Sequence, residues 1–201
     1  MNFFSFVGVE LKKIRRSKIL LILLIPVTIM WIPSIVNSHM IFDTRGINIS
    51  PENNFLIQGF MGMAWFMIPA SLVICTVLLI QTERSHKGIL KMLSMPVNTA
   101  KLCLAKFAVL ILLAFAQMVM TIGAYYISAA AASHILNYPF ALEPLYVCRV
   151  ALSLYAGAIP MAAVFWMIAN LIQTPVFSVG IGLASIVPSV LVINTKIWFA
   201  Y

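Results

Sequence analysis

Apolar residues run through this chain in long stretches that short polar segments separate. Four stretches without a charged side chain each exceed the roughly 20 residues that a helix needs to cross a bilayer: Ile19–Met40, Asn53–Thr82, Phe107–Leu142 and Val150–Thr195. The last is about twice the required length, and the polar turn Asn170–Pro175 divides it. The pattern therefore predicts five transmembrane helices.

These helices define an all-α, polytopic membrane protein in which residues 1–201 form a single transmembrane domain. The predicted spans run approximately over Lys18–Asn37, Asn54–Gln81, Lys106–Ser133, Leu145–Ala169 and Val176–Asn194. A transmembrane β-barrel would need short segments of alternating polarity, whereas these segments are apolar on every face. Composition agrees, since 9% of the residues are charged, against about 25% in a soluble domain.

The basic residues lie on one side of the predicted membrane. One cluster, Lys12–Lys18, precedes the first span, and a second cluster lies between the second and third spans, where Arg84 and Lys106 mark its limits. The positive-inside rule then places the N-terminus and both clusters in the cytoplasm. The net charge of +8 is accordingly a topology signal and does not indicate nucleic-acid binding.

Residues 1–17 can form a basic amphipathic helix at the inner membrane surface. Phe3, Phe6, Val7, Leu11 and Ile14 recur near helical spacing, and basic side chains follow close to the membrane. Such a helix would bind anionic membrane lipid. A basic tail that only sets the topology is an equal alternative.

The second polar segment, residues 82–106, is a candidate docking element. Glu83, Lys87 and Lys91 are spaced four apart, which favours a short helix with one polar face. Pro96 would end this helix, and a second helix would start near Ala100 with Lys101 and Lys106 snorkelling to the surface as it enters the bilayer. A solvated loop that only sets the topology is the alternative.

The sequence disfavours ion-coupled transport, catalysis and direct binding of ATP or a metal. The predicted spans carry no acidic or basic residue at depth, which disfavours an ion-coupled carrier or a cation channel. His39, His86 and His134 show no metal-ligand spacing, and the phosphate-binding motif of ATPases is missing. We therefore expect neither an enzyme nor a chain that binds ATP or a metal itself.

A methionine-rich stretch in the second span is a candidate surface for an amphipathic cargo. Methionine adapts to varied apolar ligands, although ordinary helix packing explains such residues as well. The candidate translocation surface comprises Met61, Met63, Trp65 and Met67, with Gln117 from the third span.

The segment 82–106 resembles the cytoplasmic segment of ABC-2-type transporter permeases. The similarity rests on Glu83, Gly88, Lys91, Leu93, Pro96 and Lys106, and the basic start and span layout are similar to the lantibiotic-immunity branch. The resemblance implies separate ABC ATPase subunits that bind ATP and Mg²⁺, a second permease subunit, and export of lantibiotic or similar amphipathic peptides from a bacterial plasma membrane. The residues implied to contact the ATPase are Glu83, Arg84, Lys87, Gly88, Lys91, Leu93 and Pro96.

Permeases of this family usually have six spans, and the fifth predicted span lies close to the last residue, Tyr201. We therefore expect a sixth C-terminal span to be missing from this sequence. Three alternatives stay open at this point: a membrane anchor or assembly subunit that transports nothing, a permease for another amphipathic drug, and an ion-coupled carrier.

Overall fold

A computed structural model describes residues 3–44, 49–84, 99–138, 140, 142–172 and 174–192, with the side chains of 15–16, 82–84 and 189–192 left undescribed. These residues form α-helices and one π-helical turn, and no strand occurs among them. The helices are α1 Phe3–Ser17, α2 Ile19–Val36, α3 Ser38–Phe42, α4 Pro51–Gly62, α5 Ile68–Arg84, α6 Thr99–Leu136, α7 Pro144–Leu171 and α8 Pro175–Val192.

Four of the predicted spans coincide with helices that are long and apolar enough to cross a membrane. They are Ile19–Val36, Pro51–Gln81, Thr99–Leu136 and Pro144–Leu171. The fifth predicted span coincides with α8, whose apolar part among the residues searched, Pro175–Pro188, is shorter than a full span. The prediction of an all-α, polytopic membrane protein is confirmed.

The second span is one continuous helical rod made of α4, the π-helical turn Met63–Met67 and α5. Ser50 caps its N-terminus by accepting a hydrogen bond from the backbone N–H of Asn53, and Pro51 occupies the first turn, where its missing N–H costs nothing. The rod therefore begins a few residues before the predicted Asn54.

Helices α5 and α6 form the centre of the bundle. Helix α6 packs against α1 and α2 on one side and against α5 and α7 on the other, while α5 also contacts α8. Helix α6 has 38 residues, which corresponds to roughly 57 Å at 1.5 Å per residue, well beyond the roughly 30 Å of hydrocarbon. It therefore extends past the bilayer at one end or both.

The two ends of the bundle differ in chemistry. At the end that we name the basic end, α1 packs against the first turns of α6, and the end of α5 lies beside the turn between α7 and α8, where Gln81, Ile172 and Ser178 line a small cavity. At the opposite end, Asn54 Nδ2 donates to the carbonyl oxygen of Ile41 at 2.6 Å and thereby joins α4 to α3.

Candidate coupling and translocation surfaces

The structure describes only the two ends of the candidate docking segment. Helix α5 continues to Arg84, so the backbone of Glu83 and Arg84 belongs to its last turn, and α6 begins at Thr99, next to the predicted start at Ala100. The other implied contact residues, Lys87, Gly88, Lys91, Leu93 and Pro96, lie outside the described residues. The segment therefore connects the end of α5 to the start of α6, which are the two central helices of the bundle.

The N-terminal helix packs on protein along the face that the sequence predicted to meet lipid. Phe6, Glu10 and Ile14, spaced four apart, are buried, and α1 contacts α6. Phe4 and Leu11, on an adjacent flank, remain exposed. The predicted helix is present, but its apolar residues are divided between a protein contact and an exposed flank.

Lys106 does not snorkel to the surface, which corrects the sequence prediction for this residue. Its side chain is 5% exposed, and its Nζ lies 3.9 Å from Glu10 Oε2. A second lysine, Lys13, lies partly exposed on the helix surface. Its Nζ donates a hydrogen bond of 2.5 Å to Glu10 Oε1. The physical reason is that α1 covers the start of α6 and supplies a carboxylate there, so Lys106 need not reach water.

Sequence reasoning missed Glu10 as a buried residue. The prediction from the sequence gives Glu10 no role, yet this residue occupies the middle of the Phe6–Glu10–Ile14 stripe at i and i+4 spacing. A carboxylate within an otherwise apolar stripe is the signal that could have identified it, because such a group requires a cationic partner when that stripe is buried.

A single residue joins the N-terminal helix to the first span. Lys18 adopts φ 56° and ψ 20°, the left-handed conformation, between Ser17 and Ile19. This conformation ends α1 and redirects the chain into α2 without an intervening loop. Helix α1 is consequently held at the membrane boundary where α2 begins.

The π-helical turn in the second span has a local cause. The N–H of Ile68 bonds to the carbonyl oxygen of Met63, five residues earlier, and Pro69 follows without an N–H of its own. Proline also clashes with the carbonyl group four residues before it, so the α-helical pattern cannot continue across this position. The extra residue per turn is the way in which the chain accommodates Pro69.

This turn places the candidate translocation residues in different environments. Met63 is fully buried, Met61 and Met67 are half-buried, and Trp65 is 38% exposed beside the exposed Phe66. Gln117 lies apart from the second span in sequence and is buried on α6. The accessible part of the predicted surface is thus centred on Trp65.

Gln117 forms a polar contact between the two central helices. The Ser71 hydroxyl lies 2.6 Å from Gln117 Oε1 and 2.8 Å from the carbonyl oxygen of Ile68, and among the described residues no group forms a hydrogen bond with Gln117 Nε2. Thr121 lies one turn further along α6 and bonds to the Gln117 carbonyl oxygen. The polar groups inside this part of the bundle are therefore neutral.

An aromatic cluster closes the bundle on the side of α3 and α4. The ring of Trp31 makes edge contacts with Phe60 and Tyr125 at centroid distances of 5.9 and 5.7 Å, and Phe55 packs beside it. At the rim, Tyr138 donates a hydrogen bond to Glu52 Oε1 at 2.9 Å, and this bond raises the pKa of the Tyr138 hydroxyl. The residues of this cluster come from α2, α4 and α6, so three spans pack against one another through it.

Comparison with known proteins gives one family match. The sequence model of the family described as ABC-2 family transporter protein matches residues 6–189. Comparisons with curated proteins and with solved structures give no match. The match extends from α1 into α8 and so includes all or most of every helix described above. Within the described residues, no group of three or more histidine, cysteine or acidic side chains is placed to hold a metal ion.

Proposed function

Because the chain belongs to the ABC-2 family of transporter proteins, and is therefore the membrane permease subunit of an ABC transporter, we propose that it exports amphipathic peptides, lantibiotics among them, from a bacterial plasma membrane. Family membership implies association with an ABC ATPase. The observation that carries the proposal is the chemistry of the long apolar stretches of the spans, which hold no charged side chain and whose buried polar groups, such as Ser71 and Gln117, are neutral.

The energy for export comes from the partner subunit in this proposal. Ion-coupled carriers use ionisable side chains inside the membrane to bind the driving ion, and the stretches 53–82 and 107–142 contain no acidic or basic residue. ATP and Mg²⁺ would be bound by the ATPase alone. The permease would convert the displacement that follows ATP hydrolysis into a rearrangement of its spans.

The ATPase would contact the segment 82–106. Helices α5 and α6 leave the bundle at this segment, and both contact α7 inside the bundle. A displacement of the segment would therefore act on the two central helices at once. Glu83, at the end of α5, is the acidic residue of this segment, and its charge is the proposed point of contact.

A charge reversal tests this contact. We expect Glu83→Lys to reduce the amount of ATPase that co-purifies with the chain while the amount of chain in the membrane stays the same. Glu143→Lys is the matched control, because Glu143 is exposed and precedes α7 at the other end of the bundle. Equal recovery of the ATPase with both variants would contradict the assignment of Glu83.

The cargo would pass along the accessible part of the second span. Trp65 and Phe66 are exposed beside the half-buried Met61 and Met67, which together offer an aromatic and adaptable surface without fixed charge. A cationic amphipathic peptide could lay its apolar side chains on such a surface. An exposed apolar residue on another helix, Phe177 of α8, provides a comparison.

Sensitivity of cells to a lantibiotic tests the cargo. We expect cells that carry the transporter to tolerate labelled nisin, a cationic lantibiotic, and to retain less of the label than cells without it. Trp65→Leu should lower this protection, whereas Phe177→Leu should not. Equal nisin retention with and without the chain would refute the peptide cargo, and a chain that also lacks an ATPase partner would be a membrane anchor or assembly subunit.

Two further partners belong to this proposal. A second permease subunit would complete the path, since less than half of the apolar window of α2 and of α7 is buried within this chain. Membrane lipid would contact the exposed flank of α1, where Phe4 and Leu11 lie near the exposed Lys12.

A further inference from the structure

A charged pair is buried where the N-terminal helix meets the third span. Glu10 is 3% exposed and Lys106 is 5% exposed, and the two residues lie 96 positions apart in the sequence. Their closest charged atoms, Oε2 and Nζ, are 3.9 Å apart. This distance exceeds a hydrogen bond, so the attraction between them is electrostatic.

Stability alone does not account for this pair. Removing two charges from water is costly, and apolar residues of similar volume often stabilise an interface as well or better. The flanking contacts of α1, Phe6 and Ile14, are apolar, so an apolar residue at position 10 would continue the same stripe. A purely apolar stripe would leave α1 free to slide or rotate on α6.

The charges instead fix the register of the two helices. If α1 turned or shifted by one residue, Glu10 would leave Lys106 and both charges would be buried without each other. The second lysine at Glu10 adds to this selectivity, because Lys13 Nζ donates to Oε1 and leaves Oε2 directed toward Lys106. The pair thus specifies one arrangement of α1 on α6.

The pair lies between the start of the first span and the start of the third span. Lys106 lies two turns into α6, which begins at Thr99 immediately after the undescribed part of the segment 82–106. Glu10 lies on α1, which passes directly into α2 at Lys18. Through this contact, a displacement of the start of α6 would be transmitted to α1 and then to the first span.

We propose that Glu10 is a positioning residue for ATP-driven transport: by pairing with Lys106 it makes α1 and the basic end of α6 move as one body. This inference rests on the proposed function, because it requires an ATPase that acts on the segment 82–106. Glu10 does not contact cargo or nucleotide in this mechanism. It holds α1, and with it the start of α2, to the first turns of α6, while α2 also contacts α6 directly.

A cysteine at position 5 provides a reporter on α1, the helix that is proposed to follow α6. Ser5 is exposed on α1, and of the native cysteines Cys103 is exposed, Cys148 is half-buried and Cys75 is buried. The experiment uses the chain purified with its ATPase, carries Ser5→Cys with Cys103→Ser and Cys148→Ser, and measures the rate of maleimide labelling with and without vanadate-trapped ATP. The ATPase rate is recorded in the same samples.

We expect trapping of the nucleotide to change the labelling rate at position 5 of α1 when Glu10 and Lys106 are both present. Glu10→Gln and Lys106→Met should each abolish this change while the ATPase still co-purifies and hydrolyses ATP. The charge-swapped chain, Glu10→Lys with Lys106→Glu and Lys13→Gln, should restore the change; Lys13→Gln is included because Lys13 would otherwise face a second lysine at position 10. A residue that served only to stabilise the fold would not be rescued by exchanging the charges.

Lys13→Gln is the matched control. Lys13 also contacts Glu10, but its side chain is 47% exposed, whereas that of Lys106 is buried. We expect it to leave the change in labelling intact. Single variants that respond like the native pair, or a charge swap that fails to restore the response, would overturn the inference. A native pair that shows no response to trapped ATP would also overturn the inference, whereas a chain that purifies without any ATPase would overturn the proposed function together with it.

If a single variant fails to reach the membrane, the charge-swapped chain decides the question. Accumulation of the charge-swapped chain in the membrane, together with a restored change in labelling, supports the pairing. The swap changes both side chains and preserves only the attraction between the two positions. Failure of the charge-swapped chain to accumulate or to respond overturns the inference.

Discussion

At the scale of single residues, Gly59 shows how closely the first and second spans approach. A Cβ atom at this position would lie 2.5 Å from Cη2 of Trp31 and 2.6 Å from its Cζ3. The ring is buried and packs against Phe60 and Tyr125, so it has little room to move. We expect Gly59→Ala to lower the free energy of unfolding by about 1–3 kcal/mol, as measured by thermal unfolding in detergent.

Two other glycines are the controls for this prediction. A Cβ at Gly62 would meet only the flexible end of Met30, which can move aside, and a Cβ at Gly123 would meet nothing within 4 Å. Gly62→Ala should therefore cost little, and Gly123→Ala should gain about 0.5–1 kcal/mol from the higher helix propensity of alanine. Equal stability of Gly59→Ala and the native chain would show that the contact with Trp31 is not tight.

Lys18 carries a backbone conformation that suits glycine better than lysine. At φ 56° an L-residue loses about 1–2 kcal/mol relative to its preferred conformation, and part of this is offset by the larger chain entropy that glycine loses on folding. We expect Lys18→Gly to raise the free energy of unfolding by up to about 1 kcal/mol.

The same substitution inside a helix provides the comparison for Lys18. Lys12 is exposed within α1, and Lys12→Gly should lower the free energy of unfolding by about 1 kcal/mol. Both substitutions remove one positive charge from the same cluster, so a difference in sign reports on the backbone alone. Destabilisation by both would contradict a strained junction at Lys18.

At the scale of helices, the polar pair Ser71 and Gln117 joins α5 to α6, and its two members are not equivalent. Ser71→Ala would deprive Gln117 Oε1 of its hydrogen bond and should cost about 1–3 kcal/mol. Gln117→Leu leaves the Ser71 hydroxyl bonded to the carbonyl oxygen of Ile68 and should cost less. The double variant should be more stable than Ser71→Ala alone, which a double-mutant cycle measures. Additive losses would show that the two side chains are independent.

The spans themselves were predictable because hydrocarbon demands long apolar helices with satisfied backbone groups. The predicted span Lys18–Asn37 matches α2 to within one residue at each end, and the division at Asn170–Pro175 matches the break between α7 and α8. Hydropathy sets these limits locally, so no knowledge of the packing is needed.

Which side chains face one another was not predictable, since every face of a transmembrane helix is apolar. The π-helical turn follows from Pro69, but the sequence gives no means to distinguish this outcome from a simple kink. Likewise, the burial of Glu10 and Lys106 depends on α1 packing against α6, a contact between distant parts of the chain. The candidate residues Met63 and Gln117 face the interior for the same reason.

At the scale of the whole molecule, the outer helices offer apolar surface to the second permease subunit that we propose. The central helices α5 and α6 are covered by α1, α2, α7 and α8, while the outer helices keep much of their apolar surface exposed. We expect two differently tagged permease subunits to co-purify from one membrane. Recovery of a single tag from cells that express both would contradict a pair of identical subunits and leave a pair of different subunits as the arrangement to test.

The central claim is that this chain is a permease subunit that works with a separate ABC ATPase. Its most direct test is purification of the tagged chain from native membranes in mild detergent, with identification of the associated proteins by mass spectrometry. The account predicts an ABC ATPase in the native sample and a lower amount with Glu83→Lys. Recovery of intact, folded chain without any ATPase would contradict it.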